Sequence, residues 1–173
     1  MKEIEHYDRA AHNYYKKQNF CALPLTSWDL FANEFKTTAE GLNDVVKFKK
    51  LAKENSWSSS ISFRDEILDK NNVVVVTDPS LNIVHASQNI YKMNGYAIEE
   101  IIGKKPKMFQ GKLTCKETAN KIGNAVKSKI PFEATILNYR KDGSTYNCWI
   151  KGAPIKDNEG NVVNFIAFEK EVA

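Results

Sequence analysis

The last third of the chain carries the pattern that leaves a fold the least freedom. Three stretches of strand character, Phe132 to Arg140, Thr145 to Lys156 and Val162 to Val172, are separated by Asp142-Gly143 and by Asn158-Glu159-Gly160. Both separators supply residues that tolerate φ > 0, which tight hairpin turns require. Consecutive hairpins dictate an antiparallel meander. Alternation along a strand then puts Phe132, Ala134, Ile136 and Asn138 on one face, and Phe165, Ala167 and Glu169 on one face of the last strand. With those rows turned inward, Asn138 and Glu169 set polar groups among apolar ones, the make-up of a small-molecule site.

Upstream, Val73-Val74-Val75-Val76-Thr77 is wholly β-branched, as a central strand would be, and Asp78-Pro79-Ser80-Leu81-Asn82 turns it into Ile83-Val84-His85-Ala86. Ser87 is a suitable N-cap for a helix through Met93 that stops at Gly95. A second short helix, 97–102, ends at Gly103. Thr114-Cys115-Lys116-Glu117 reads as a capping box opening a helix to about residue 129, with Ile122, Ala125 and Val126 as its apolar stripe. The expected architecture is α+β: a five-stranded antiparallel sheet with helices over one face.

Between Gly103 and Gly111 lies Lys104-Lys105-Pro106-Lys107-Met108-Phe109-Gln110, an ordered lid that tucks apolar residues beneath the following helix. Taken with Asn94-Gly95-Tyr96 before it and with Asn138-Tyr139-Arg140-Lys141-Asp142-Gly143 and Pro154-Ile155-Lys156-Asp157-Asn158-Glu159-Gly160 after it, this segment resembles the PAS domain family, and within it the flavin-binding LOV branch. The resemblance runs from about residue 73 to 172. It implies a PAS fold and a sensory role. LOV domains place a cysteine beside the lid glycines to form a light-driven bond to flavin; here that position is Pro106, which excludes adduct chemistry there. The polar residue before it is Lys105 where the family has Asn, and the phosphate-contacting Arg is Lys107. The Gln ending the lid is retained as Gln110, and the Asn of the first long strand as Asn138. The family's second Asn aligns with Cys148, since Asn147 is one residue off and points to the opposite face, and its final Gln is replaced by Glu169. The pocket so implied is bounded by Lys107, Met108, Phe109 and Gln110 of the lid, by Ile136 and Asn138, and by Cys148, Ile150, Ala167 and Glu169 of the sheet centre. A buried Glu169 must be protonated, paired with a cation such as Lys105, or hydrogen-bonded; left unmet it costs ~1–3 kcal/mol.

The first third is different in character. Residues 1–20 mix charge with aromatics, Leu23-Pro24-Leu25 interrupts them, and Thr26-Ser27-Trp28-Asp29 reads as a helix start with Leu30, Phe31, Phe35 and Leu42 on one face. Gly41 weakens the middle, which leaves both one helix and two shorter ones open, and a further helical segment runs from Val45 to Glu54. The serines at 56, 58, 59, 60 and 62 have the composition of a hinge, and a short amphipathic helix over 63–70 leads into the first strand. The expected division is therefore residues 1–60 as an α-helical extension and hinge and residues 61–173 as the PAS domain. Its aromatic stripes pack on the PAS sheet or on a second copy of the chain.

The 173 residues and 42% hydrophobic content suit one ordinary core with an appendage. With 25 basic residues scattered among 21 acidic ones, the +4 charge describes a solvated surface; no nucleic-acid footprint is expected. Cys21, Cys115 and Cys148 match no metal spacing, and there is no apolar run of the ~20 residues a membrane span needs. No metal, no membrane and a cytoplasmic location with reduced thiols are expected. Haem is disfavoured because the helix after the lid has no His to serve as an axial ligand; His85 sits in an early strand as a surface or core residue. No catalytic triad, phosphate loop or carboxylate pair appears, so no enzymatic activity is expected. Two readings follow. One is a sensory PAS module that works through protein–protein contact or homodimerisation, with or without a small ligand. The alternative is a cysteine-less flavoprotein holding FMN or FAD as a photo- or redox receptor.

Overall fold

The computed structural model describes residues 26–58, 69 and 72–173. The chain divides into residues 1–36 and 37–173, and the packing below is that of the second unit. The helix expected over 1–20 and, but for Asp69, the one over 63–70 lie outside the described residues.

Five strands form one antiparallel sheet: β1 (Val73–Thr77), β2 (Ile83–Ala86), β3 (Phe132–Tyr139), β4 (Thr145–Lys156) and β5 (Val162–Val172), in the order β2-β1-β5-β4-β3. The two long hairpins turn where the sequence predicts, with Gly143 and Gly160 both at φ 86°, a conformation that carries no penalty without a Cβ. Their register is regular: Ile136 faces Cys148, Asn138 faces Tyr146, and Ile150 faces Glu169.

The valine run of β1 is explained by burial on both faces. Val73 and Val75 belong to an inner core with Ile83, Ile90, Ile101, Phe109, Ile136 and Cys148, while Val74 and Val76 belong to an outer core with Val45, Phe48, Ile155 and Ile166. The inner face is roofed by α2 (Ile90–Asn94), α3 (Ile98–Ile101), a 3₁₀ turn (Pro106–Phe109) and α4 (Lys116–Lys127). The outer face is covered by Val45, Phe48 and Leu51 of α1 (Thr26–Glu54).

Helix α1 is continuous over 29 residues, so Gly41 does not divide it. An interior glycine costs about 1 kcal/mol relative to alanine, and the burial of Asp44, Val45 and Phe48 one turn later outweighs it. The helix stops at Glu54, and the chain is pinned to the sheet just beyond. Trp57 Nε1 donates to Asn164 Oδ1 (2.7 Å), Asn164 Nδ2 donates to the Thr77 carbonyl (3.0 Å), and Ser58 N donates to the Lys156 carbonyl (2.9 Å).

Two predicted caps differ in the structure, for one physical reason. Ser87 does not cap α2, which begins at Ile90. Its hydroxyl accepts from Val74 N (2.8 Å) and donates to Asn89 Oδ1 (2.6 Å), a tertiary use of the group. Thr114 likewise does not cap α4, whose N-cap is Cys115. The Thr114 hydroxyl accepts from Gly111 N (2.9 Å) and donates to the Leu137 carbonyl (2.7 Å), tying the end of the lid to β3.

Candidate functional site

A cavity of about 360 Å³ lies between the lid, α4 and the inner face of the sheet. Gly103, at φ 77°, starts the lid, and the lid's base is stitched to β2 by Ile83 N donating to the Lys104 carbonyl and Gly103 N donating to the Ile83 carbonyl, each 2.8 Å. Pro106 opens the 3₁₀ turn, where its fixed φ is already helical and its missing N–H is not needed. The turn buries Phe109, whose ring lies 5.7 Å from that of Tyr96. Helix α4 has no fully buried residue. Its apolar side, Ala119, Ile122 and Val126, fronts the cavity and so remains half-covered.

Six of the eight residues expected at the site border this cavity: Lys107, Phe109, Gln110, Ile136, Asn138 and Glu169. Ile150, Ala167 and Pro106 border it as well. Met108 does not. It is partly buried against the inner core, because the 3₁₀ turn gives successive residues different faces, and Phe109 takes the inward one. Cys148 does not border it either. Its side chain is fully buried in the core beside Ile136, and Sγ–H donates to Glu169 Oε2 at 3.7 Å, so it touches the cavity wall from behind. Asn147 is exposed on the opposite face, as the alternation requires.

Glu169 is the unusual group. It is 5% exposed, with no register change to turn it outward, and Lys105 does not pair with it. Burial raises its carboxyl to about 7, opposed only by the hydrogen bond from the Cys148 thiol. The Cys148 thiol is itself pushed up, by burial first and then by Glu169. The thiol is therefore neutral near pH 7, and the Glu169 carboxyl is far more easily protonated than an exposed glutamate. Tyr146, buried next to this pair, has its hydroxyl raised by burial. The polar wall is thus an amide at Asn138, an amide at Gln110 and an acid at Glu169, with the ammonium groups of Lys105 and Lys107 on the lid.

Sequence reasoning missed Phe132, Leu81 and Asn120 as wall residues. Phe132 was on the inward row already. Leu81 and Asn120 lie on a turn and on a helix flank, where no periodicity singles them out.

A sequence model of the PAS domain family matches residues 71–172. The chain belongs to the PAS domain family. Within it the similarity is to LOV domains. The chain is 33% identical over 117 residues to phototropin-2 of Oryza sativa subsp. japonica, covering 66% of this chain and 13% of that protein. It is 36% identical over 103 residues to Protein TWIN LOV 1 of Arabidopsis thaliana, covering 57% of this chain and 26% of that protein. Among solved structures it matches one from a study of a flavin analogue and the light-oxygen-voltage domain mechanism, at 32% identity and a TM-score of 0.61, covering 66% of this chain and 87% of that one. The chain thus spans only a small part of the curated relatives' length. Among the described residues no helix is long and apolar enough to cross a membrane.

Proposed function

We propose that this PAS chain is a non-enzymatic sensory module whose cavity takes a flavin nucleotide without a covalent bond, and whose output is a change in how the α-helical extension packs on the sheet or on a partner. The observation that carries the reading is the cavity itself: about 360 Å³, walled by Val75, Ile136 and Ile150, with buried Asn138 and Glu169 and half-buried Gln110 as its polar edge. That size and that ratio of apolar to polar wall are usual for a cofactor pocket. The residues fit the group. Asn138 and Gln110 each offer an amide donor and acceptor to a ring's polar edge, Lys107 offers a cation to a phosphate, and Glu169 fits in its neutral form. Pro106 on the wall has no nucleophile to offer. When bound, the flavin supplies light absorption and redox chemistry.

A route outward exists in the hydrogen bonds. Thr77 borders the cavity, its carbonyl accepts from Asn164, and Asn164 accepts from Trp57 at the foot of α1. A cofactor that shifts β1 by a fraction of an ångström would therefore strain the attachment of α1, since packed interfaces respond by switching between arrangements. A second copy of this chain or another signalling protein would read the change. The test is an absorption spectrum of the purified protein, before and after incubation with FMN. A flavin band near about 450 nm is expected; a protein that stays colourless with excess FMN would refute flavin as the ligand.

A further inference from the structure

Behind the cavity wall lies a polar cluster that the flavin reading does not use. Asn94 ends α2 and is fully buried. Its carbonyl accepts from Lys141 N (2.9 Å) and its Oδ1 accepts from Tyr96 N (3.1 Å), which fixes the amide and aims Nδ2 elsewhere. Among the described residues nothing accepts from that Nδ2. Tyr146 on β4 is 4% exposed, and its hydroxyl is likewise buried without a partner. The ring is held in place, because the Arg140 guanidinium lies over it at 4.6 Å and is itself anchored by both carboxylate oxygens of Glu171 at 2.7 Å.

Tyr146 faces Asn138 in the β3–β4 register, so the two side chains share the inner face. Burial raises the Tyr146 hydroxyl first, Cys148 and Glu169 add to the effect, and the amides of Asn138 and Asn94 oppose it, which sets the three polar groups in one neighbourhood. Asn138 borders the cavity, whereas Asn94 and Tyr146 stand behind it. Buried polar groups left unmet carry the full cost of their lost hydration. A water that bonds several such groups at once removes that cost, and is the usual way in which buried polar clusters are satisfied.

The balance of donors and acceptors decides how the water is used. Asn94 Nδ2 has only protons to give, the Tyr146 hydroxyl has one to give, and a water brings protons of its own. Asn94 Oδ1 is engaged by Tyr96. The cluster is therefore rich in donors, and the amide oxygen of Asn138 is the acceptor that balances it.

We propose that Asn94, Tyr146 and Asn138 hold one ordered water behind the wall, and that this water draws Asn138 Oδ1 away from the cavity so that Nδ2 is presented to the ligand. Asn94 and Tyr146 are then positioning residues, and the cavity selects a ligand whose edge carries an acceptor atom. The water stands on the buried cluster alone; the selection rests on the reading that the cavity takes a flavin.

The experiment uses the full chain, with FMN as the probe, in wild type, Tyr146→Phe, Asn138→Ala and the double variant, circular dichroism confirming that each is folded. Tyr146→Phe removes the hydroxyl and nothing else. Loss of a hydroxyl that had no partner would leave the urea midpoint unchanged or raise it. Loss of one bonded to a water has the opposite sign, and the folding equilibrium is expected to fall by roughly fivefold. Isotope-labelled wild type should also show magnetisation passing from a long-lived water to the Asn94 side-chain amide. FMN affinity, followed by fluorescence quenching, should fall by roughly fivefold on Tyr146→Phe and stay unchanged when the same substitution is made beside Asn138→Ala, since such coupling arises only between residues that act together. A Tyr146→Phe variant at least as stable as wild type, or no water signal at Asn94, overturns the proposal. Equal losses of affinity in both backgrounds overturn the positioning role and leave flavin binding intact. No binding of FMN by any of the four proteins overturns the flavin reading and the positioning role together, while the urea and water measurements still decide the water itself.

Discussion

Replacing Phe48 by alanine tests whether α1 is part of the fold or an ornament on it. Phe48 is 0% exposed and sits among Val45, Val74, Val76, Ile155 and Ile166, with its ring 4.5 Å from that of His85 in an edge-on arrangement. Truncating a fully buried phenylalanine to alanine costs roughly 3–5 kcal/mol, the sum of the lost transfer energy and the cavity left behind. The site here is bounded by β-branched side chains on β1 and by strand residues on β4 and β5, which cannot collapse into the space, so the upper half of that range applies. Against a total of about 5–15 kcal/mol for a domain, such a loss is large. Urea unfolding should therefore show the midpoint of Phe48→Ala falling steeply at constant slope, while Leu42→Ala, whose side chain is 46% exposed on the same helix, shifts it by less than about 1 kcal/mol. If the two variants lose the same small amount, α1 does not hold the outer face of the sheet, and the proposed route from Thr77 through Asn164 to Trp57 has no helix to act on.

Two further predictions concern the cavity wall and the outer face. A Cβ at Gly152 would lie 2.3 Å from the ring of Phe132, a cavity-lining residue, so Gly152→Ala should drive that ring aside. FMN affinity should drop by at least about tenfold while the strand pairing, read by far-ultraviolet circular dichroism, is retained at a cost of about 1–3 kcal/mol. His85, half-buried against Phe48, is lowered to about 4 by burial and then by Lys47. The unfolded chain thus binds more protons than the folded one between about 4 and about 6.5. Stability should be full above about pH 6.5 and decline as pH falls toward 4. His85→Gln should flatten that decline in urea midpoints, and an unchanged slope would show that His85 is not its source.

Much of the architecture was determined by residues close together in the chain. Asp142-Gly143 and Asn158-Glu159-Gly160 set the two long hairpins, with both glycines in the positive-φ region, because turn conformation depends on the turn residues themselves. The same holds for Gly103 ending the helix before the lid and for the alternation that sends Cys148 inward and Asn147 outward. The chemistry of the site was partly legible too: alternation turned Asn138 and Glu169 inward, the lid's resemblance pointed to Gln110, and all three border one cavity. What required the tertiary structure was the choice of partner. Whether the Ser87 and Thr114 hydroxyls capped a helix or bonded a distant strand was decided by β1 and β3 arriving next to them. Gly41 failed to break α1 because Asp44, Val45 and Phe48 dock on a sheet that is far away in sequence. Cys148 meets Glu169 only through the diagonal neighbour relation of β4 and β5, and whether Lys105 would neutralise that acid depended on the path of the lid. Backbone turns and face alternation are local properties, whereas burial, hydrogen-bond partners and proton affinity belong to the packed neighbourhood, and for Glu169 that neighbourhood is assembled from strands joined only when the chain folds.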